Sequence, residues 1–213
     1  MQPVYYNIPK TNIVFVGMPK CGNSSILDSF RVFLDGDESK PKLPQTAFLN
    51  YSLSKKEVYE RRSEFLIFSI VRNPFDRLVS HYFDKVNGTK LHPRLERFGF
   101  IHKMKFQDYC QIIKDKFLEI NDLHLRPQYE ISFHRRCFLP NYVMRFERLN
   151  SDFKFIASYV KEMYSKEITL PHLNPSKRSP VSQIVTDNEA KNIIEIYQRD
   201  FNFFGYDTNS FNS

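Results

Sequence analysis

The sequence predicts an α/β fold with a mainly parallel central sheet flanked by helices, and three observations predict it. Two short runs, Asn12–Val16 and Glu64–Val71 (EFLIFSIV), are almost continuously apolar, as strands buried on both faces are. Each run ends where helix-start signals begin. The apolar spacing then turns helical, so strands alternate with helices along the chain.

Taken in order, the first run leads into Pro19-Lys20-Cys21-Gly22-Asn23-Ser24-Ser25 and a helix read over Ser24–Phe33. Asp35–Pro44 is polar, with glycine and prolines, and reads as a surface loop. Ser54-Lys55-Lys56-Glu57 has capping-box spacing and opens a short helix. The second run stops at Arg72, after which Asn73 can cap a helix and Pro74 suits its first turn. Phe75, Leu78, Val79, Tyr82, Phe83 and Val86 then form one apolar helical face, with Asp76 and Arg77 on its solvated side. Asn87–Gly99 is irregular and basic. Phe106, Tyr109, Ile113 and Phe117 mark the next helix. Tyr142–Arg145 reads as a third buried strand, followed by a helix from about Asp152 to Tyr164. A second capping box, Thr186-Asp187-Asn188-Glu189, opens a helix running to about Arg199. No repeat, low-complexity stretch or linker divides the chain, so residues 1–213 are expected to form a single domain.

Composition narrows the function classes. A net charge of +7 favours an anionic ligand. Lys/Arg runs of five or more and nucleic-acid motifs are missing, so nucleic acid is not the expected partner. The three cysteines, Cys21, Cys110 and Cys137, have no metal-ligand spacing and suit a reducing compartment. The sequence shows no signal peptide and no apolar run long enough to span a bilayer. A cytoplasmic location is expected if Met1 is the native start.

Two constellations carry chemistry. Pro19–Ser25 joins a strand to a helix start, where free N–H groups and the dipole hold anions. It resembles a P-loop but lacks the Gly-Lys-Ser/Thr order at its end, because Lys20 precedes Gly22. In the second, Arg72 at a strand end and Ser80 in the following helix can converge on one anion. Ser80 lies six residues after Pro74, about 9 Å along the axis, which a long arginine side chain can cover.

Together these residues resemble the sulfotransferase superfamily, whose donor is 3′-phosphoadenosine 5′-phosphosulfate (PAPS). The resemblance implies that Pro19, Lys20, Cys21, Gly22, Asn23, Ser24 and Ser25 grip the 5′-phosphosulfate. Arg72 and Ser80, at the family's spacing of eight, would grip the 3′-phosphate. Further elements are similar to the Golgi carbohydrate sulfotransferases (sulfotransferase family 2). Asn121–Gln128 resembles their Asp-His-Trp-x-Pro-Gln element, with one residue inserted before His124 and leucine in place of tryptophan. Tyr142–Leu149 resembles a strand and Lys-Phe-Glu-x-Leu turn, and His172–Arg178 a late basic loop that closes over the nucleotide. Tyr197–Tyr206 closely matches the terminal Tyr-x-x-Asp-Phe-x-x-Phe-Gly-Tyr.

The resemblance implies a P-loop-like three-layer sandwich, PAPS as donor with adenosine 3′,5′-bisphosphate as product, no required metal, and a carbohydrate hydroxyl as acceptor. It implies a Golgi lumen location if the sequence is an excised catalytic domain. Lys20 would act on the leaving phosphate, Arg178 would assist at the 3′-phosphate, and His124 is the favoured base. His92 and the carboxylates Glu57, Glu60 and Glu64 are the alternative bases. Lys85, Lys90, Arg94, Arg97, Lys103 and Lys105 form either an acceptor groove or a solvated surface, while Phe98 and Phe100 either stack on sugars or pack in the core. A P-loop nucleotide kinase is the rival enzymatic reading, and a non-catalytic nucleotide-binding scaffold the rival of another class.

Overall fold

A computed structural model describes residues 4–34, 45–171 and 179–212. The described residues group into two compact units, each built from separate stretches of chain. One holds Gln2–Val71 with Ile131–Pro175, and the other Arg72–Glu130 with Ser176–Ser213.

The first unit is organised by a five-stranded sheet. Strand β1 (Val4–Asn7) leads through a turn into β2 (Ile13–Gly17), whose five residues are all buried. Helix α1 (Asn23–Ser29) follows the basic loop. Its continuation to Phe33, expected from the sequence, breaks instead at Phe30 into a separate 3₁₀ turn over Arg31–Phe33. Ser29 Oγ donates back to the Ile26 carbonyl at 2.6 Å, a competing bond of the kind that loosens helices. The expected loop Asp35–Pro44 lies outside the described residues.

Beyond it come β3 (Ser52–Leu53), α2 (Lys55–Glu60) and β4 (Leu66–Val71). Helix α2 starts in the expected capping box, with Glu57 N–H donating to Ser54 Oγ at 3.2 Å and Ser54 N–H to Glu57 Oε2 at 2.7 Å.

The strand order is β3-β1-β2-β4-β7, where β7 is Tyr142–Arg145. β2, β4 and β7 run parallel, and β1 is antiparallel to both of its neighbours, so four of the five strands point one way. The mostly parallel sheet expected from the two apolar runs is therefore present, with β1 as an antiparallel insertion. Phe15 stacks on its register partner Phe68 at 5.0 Å, and Phe30 of the α1 end reaches Phe68 at 6.0 Å. Asn141 fastens β7 to β4: its Oδ1 accepts from Ile67 N–H at 2.9 Å and its Nδ2 donates to the Phe65 carbonyl at 3.0 Å. Helix α7 (Leu149–Tyr164) packs against β7 and begins three residues before the expected Asp152.

The second unit is helical. Helix α3 (Pro74–Lys85) starts as the sequence predicts, with Phe75 N–H donating to Asn73 Oδ1 at 3.0 Å and Pro74 in its first turn. Phe75, Leu78, Val79, Tyr82 and Val86 are buried, and Phe83 is half-buried. The irregular basic stretch contains one short turn, α4 (Pro93–Glu96). Helix α5 (Phe106–Ile120) bends at Lys116, and α8 (Asp187–Phe204) bends at Tyr197 and ends at Gly205 with φ 63°. α8 packs on both α3 and α5. Phe75 of α3 meets Phe201 of α8 at 5.0 Å. Helix α6 (Gln128–Ser132) leads the chain back into the sheet-bearing unit, where a small hairpin follows, β5 (Phe133–His134) and β6 (Cys137–Phe138).

Candidate active site

Pro19–Ser25 lies at the carboxyl end of β2, where α/β sheets bind ligands. Two of its residues are left-handed, Lys20 at φ 68° and Gly22 at φ 81°. The first reversal is closed by Cys21 N–H donating to the Met18 carbonyl at 3.3 Å. The Cys21 side chain is fully buried, and its Sγ faces the Pro19 carbonyl at 3.6 Å, so the thiol belongs to the core side of the loop. Gly22 is needed twice over. Its backbone is left-handed, and a Cβ there would stand 3.3 Å from Phe146 Cε2 and 3.5 Å from Leu149 Cδ2.

Gly22 precedes α1, whose first N–H groups have no intrahelical carbonyl to reach. Lys20, Asn23 and Ser24 are partly exposed around this end, and Ser25 is nearly buried. The Asn23 amide oxygen is a buried polar atom with no partner among the described residues. Ammonium, hydroxyl, carboxamide and helix-start N–H groups together make a donor set that fits a phosphosulfate.

Arg72 stands in the other unit, immediately ahead of α3, and its residue is 7% exposed. Its guanidinium lies 3.6 Å from Asp76 Oδ1. Its backbone is clamped. Arg72 N–H donates to Gln128 Oε1 at 2.8 Å, and Gln128 Nε2 donates to the Arg72 carbonyl at 2.9 Å. Gln128 is held in turn by Asp200 of α8: the backbone N–H groups of Gln128 and Tyr129 donate to its two carboxylate oxygens at 2.9 and 2.7 Å. Burial pushes the Asp200 carboxyl up, opposed by the Arg77 charge and these N–H donors. Ser80 is half-buried on α3.

His124 is oriented by Asp122. One carboxylate oxygen, Oδ1, receives both the His124 backbone N–H and its ring Nδ1, each at 2.9 Å. Burial pushes the Asp122 carboxyl up, but the hydrogen bonds and charge of His124 outweigh it and hold the group well below the usual carboxylate range. An ionised carboxylate only accepts, so Nδ1 carries a proton, and in the neutral imidazole Nε2 is the accepting atom. Arg77 fixes the same loop, donating to the carbonyls of His124 at 3.1 Å and Arg126 at 2.9 Å. Its 2% exposure corrects the expectation that it lies on a solvated helix face. The two main-chain carbonyls draw the guanidinium inward.

The alternative carboxylates have local commitments. Glu57 is in the capping box, and its hydrogen bonds to Ser54 lower its pKa, the wrong direction for a base near neutrality. Glu60 lies 3.8 Å from Lys56, and Glu64 pairs with Arg61 at 2.9 Å. His92 is different: it is half-buried at the N-cap position of α4, its side chain makes no cap hydrogen bond, and its Nδ1 is a buried atom with no partner among the described residues.

A cavity of about 470 Å³ opens beside Asp122, lined by Arg94, Arg97, Phe98, Glu119 and Asn121 among others. Of the basic residues expected to form a groove, Arg94 and Arg97 line it. Lys90, Lys103 and Lys105 are exposed outside its lining, and Lys85 pairs with Asp84 at 3.0 Å. Phe100 is 2% exposed and belongs to the core. Arg178 and the rest of the His172–Arg178 loop lie outside the described residues. Among the described residues no cluster of His, Cys, Asp and Glu is placed to hold a metal ion, and no helix is long and apolar enough to cross a membrane.

Sequence reasoning missed the Gln128–Asp200 clamp and the part Asp122 plays. Both residues sit inside matched motifs, so the signal was there in the Pro-Gln and Tyr-x-x-Asp-Phe elements. What was lacking was the knowledge that the two meet.

A mostly parallel α/β sheet with a basic, glycine-bearing loop at a strand's carboxyl end is the arrangement at which α/β proteins commonly hold anionic ligands. The sulfotransferase family model matches residues 5–207, and the chain belongs to that family. It is 24% identical over 232 aligned positions to carbohydrate sulfotransferase 10 of Xenopus laevis, an alignment covering 92% of this chain and 65% of that protein. The chain thus spans a little under two thirds of that relative's length. No solved structure matches it. A nucleotide kinase finds no support in these comparisons.

Proposed function

We propose that the protein transfers a sulfuryl group from PAPS to a hydroxyl of a carbohydrate. The observation that carries the reading is the family match over residues 5–207, whose span includes the Pro19–Ser25 loop, Arg72–Ser80 and the His124 element. The carbohydrate acceptor rests on the likeness to carbohydrate sulfotransferase 10.

PAPS supplies the activated sulfuryl group, and the chain's residues bind, orient and move a proton. The helix-start N–H groups, Asn23, Ser24 and Ser25 hold the 5′-phosphosulfate, and Lys20 offsets the charge that grows on the departing phosphate oxygen. Arg72 and Ser80 anchor the 3′-phosphate, with Arg178 as a further cation. His124 Nε2 takes the proton of the acceptor hydroxyl as the new O–S bond forms and the old one breaks. Asp122 keeps Nδ1 protonated and so keeps Nε2 facing its task. The cavity beside Asp122 is the proposed seat of the acceptor sugar.

The test is calorimetric titration with adenosine 3′,5′-bisphosphate, ADP and ATP, with and without magnesium, followed by a sulfate-transfer assay on a glycan panel. Selective binding of the bisphosphate with transfer to a glycan is expected. Preference for ATP with magnesium would sink the reading, and bisphosphate binding without turnover on any acceptor would leave only a nucleotide-binding scaffold.

A further inference from the structure

We propose that the tip of the β5–β6 hairpin, together with the end of α2, is an exosite for an anionic polysaccharide, gripped by Arg62, Arg135 and Arg136. It lies wholly within the sheet-bearing unit. Phe133 pairs with Phe138 and His134 with Cys137, so Arg135 and Arg136 are the entire loop of a two-residue hairpin. Their φ angles are 46° and 65°. Two-residue hairpins favour such turns, but with Asn-Gly or Asp-Gly, because a Cβ is penalised in the left-handed region. Two arginines are a poor choice for folding at these positions. Strain of this kind persists where a function holds it in place.

What the strain achieves is a gathering of cations. Arg135 and Arg136 are both exposed. The Arg135 guanidinium lies 5.9 Å from the Tyr59 ring, and that of Arg62 lies 4.7 Å from the same ring. Arg62 also donates to the Tyr59 carbonyl at 2.8 Å, and the His134 ring sits edge-on to Tyr59 at 5.2 Å. Among the described residues none of the three arginines pairs with a carboxylate, and the acids of α2 and its following loop are engaged elsewhere: Glu57 in the cap, Glu60 near Lys56, Glu64 with Arg61.

The ligand class follows from the chemistry. A guanidinium laid on an aromatic ring keeps its N–H edge free for bidentate contact with carboxylate or sulfate. Single-stranded nucleic acid would use the ring itself as a stacking platform, and guanidinium groups already lie against Tyr59. The preference for a polysaccharide among polyanions rests on the function proposed above, and the exosite would hold stretches of chain away from the reacting sugar.

The experiment uses the whole chain and the variant Arg135→Asn/Arg136→Gly, which installs the residues the turn prefers. Its melting temperature is expected to rise by about 3 °C, so failure to fold is not a confounder. Heparin is the probe, titrated across a salt series, with oligo-dT in parallel. The variant should bind heparin roughly tenfold more weakly at physiological ionic strength, with the salt slope reduced by about 1.4 for two lost contacts. A control removing two exposed charges elsewhere in the same unit, Lys154→Gln/Lys166→Gln, should change binding less than about twofold. Equal losses in both variants, or no loss in the hairpin variant, overturn the exosite. Oligo-dT binding that matches heparin and falls equally would reassign it to nucleic acid and overturn the polysaccharide reading. No donor or turnover enters this measurement, and the hairpin variant should keep bisphosphate binding, so failure here is distinct from failure of the proposed function.

Discussion

Replacing Gln128 with leucine tests whether the buried clamp on Arg72 serves the donor site. Gln128 is fully buried, and its carboxamide meets both backbone groups of Arg72, at 2.8 and 2.9 Å, and Asp200 Oδ2 at 3.3 Å. Leucine fills a similar volume but leaves the Arg72 N–H and carbonyl without those partners. Each group that loses its partner costs about 1–3 kcal/mol, so the loss of folding stability over the two groups is expected at about 2–6 kcal/mol. Most of that range lies within the total stability of an ordinary domain, so the variant should fold, with a melting temperature lowered by roughly 4–24 °C. If the clamp also holds the guanidinium ready for a 3′-phosphate, affinity for adenosine 3′,5′-bisphosphate should fall about tenfold, or about 1.4 kcal/mol. Urea unfolding measures the first quantity, and calorimetry at a temperature where the variant remains folded measures the second. Lost stability with unchanged bisphosphate affinity would refute the link between clamp and donor site. No change in either would refute the clamp.

Other outcomes follow from the same geometry. Lys20→Ala should lower turnover about 100-fold or more while bisphosphate affinity changes little, read by single-turnover transfer alongside calorimetry. Arg72→Ala should weaken bisphosphate binding by about 1.5–3 kcal/mol, read by the same titration. His124→Ala should cut kcat about 100-fold, and Asp122→Asn about tenfold with KM for the acceptor nearly unchanged; a raised KM with normal kcat would place these residues in binding rather than proton transfer. Because Asp122 is depressed in the folded state, its stabilising contribution is present above its unfolded value near 3.8 and is lost as pH falls through the lower folded value. The urea midpoints of the parent and Asp122→Asn should therefore converge as pH falls, while Asp200, raised by burial, works in the opposite sense in both proteins and cancels from the comparison.

Much of the frame was legible in the residues because local rules set it. β4 announces itself as an unbroken apolar run, and α3 by Asn73, Pro74 and a five-residue buried stripe. The edges were not. β1 reads VYYN and is an antiparallel strand whose identity comes from pairing with β2 and β3, contacts that no local pattern encodes. The β5–β6 hairpin was hidden for a sharper reason, since Arg135-Arg136 contradicts the turn chemistry that normally betrays a hairpin. At the candidate site the same division holds. Lys20, Gly22 and Arg72 could be picked from spacing, whereas Arg77 looked like a surface charge until the carbonyls of His124 and Arg126 were seen to take its guanidinium.

The clamp also gives a physical reason why motifs far apart in the chain are needed together. Val71 is the last residue of β4 with a register partner, Arg145, so the backbone of Arg72 is the first to leave the ladder. A buried peptide group that leaves a ladder must find a donor and an acceptor elsewhere. The Gln128 carboxamide offers one of each, in effect a side chain standing in for one more rung. That carboxamide would swing among rotamers were it not anchored, and Asp200 anchors it by accepting from Gln128 Nε2 at 3.3 Å while also taking the backbone N–H groups of Gln128 and Tyr129. An arginine whose backbone is fixed this way loses less freedom when it meets an anion, so more of the contact energy is left for binding. Asp200 holds this place although burial works against its charge. Its benefit lies in holding Gln128 to Arg72, the residue proposed to meet the donor's 3′-phosphate.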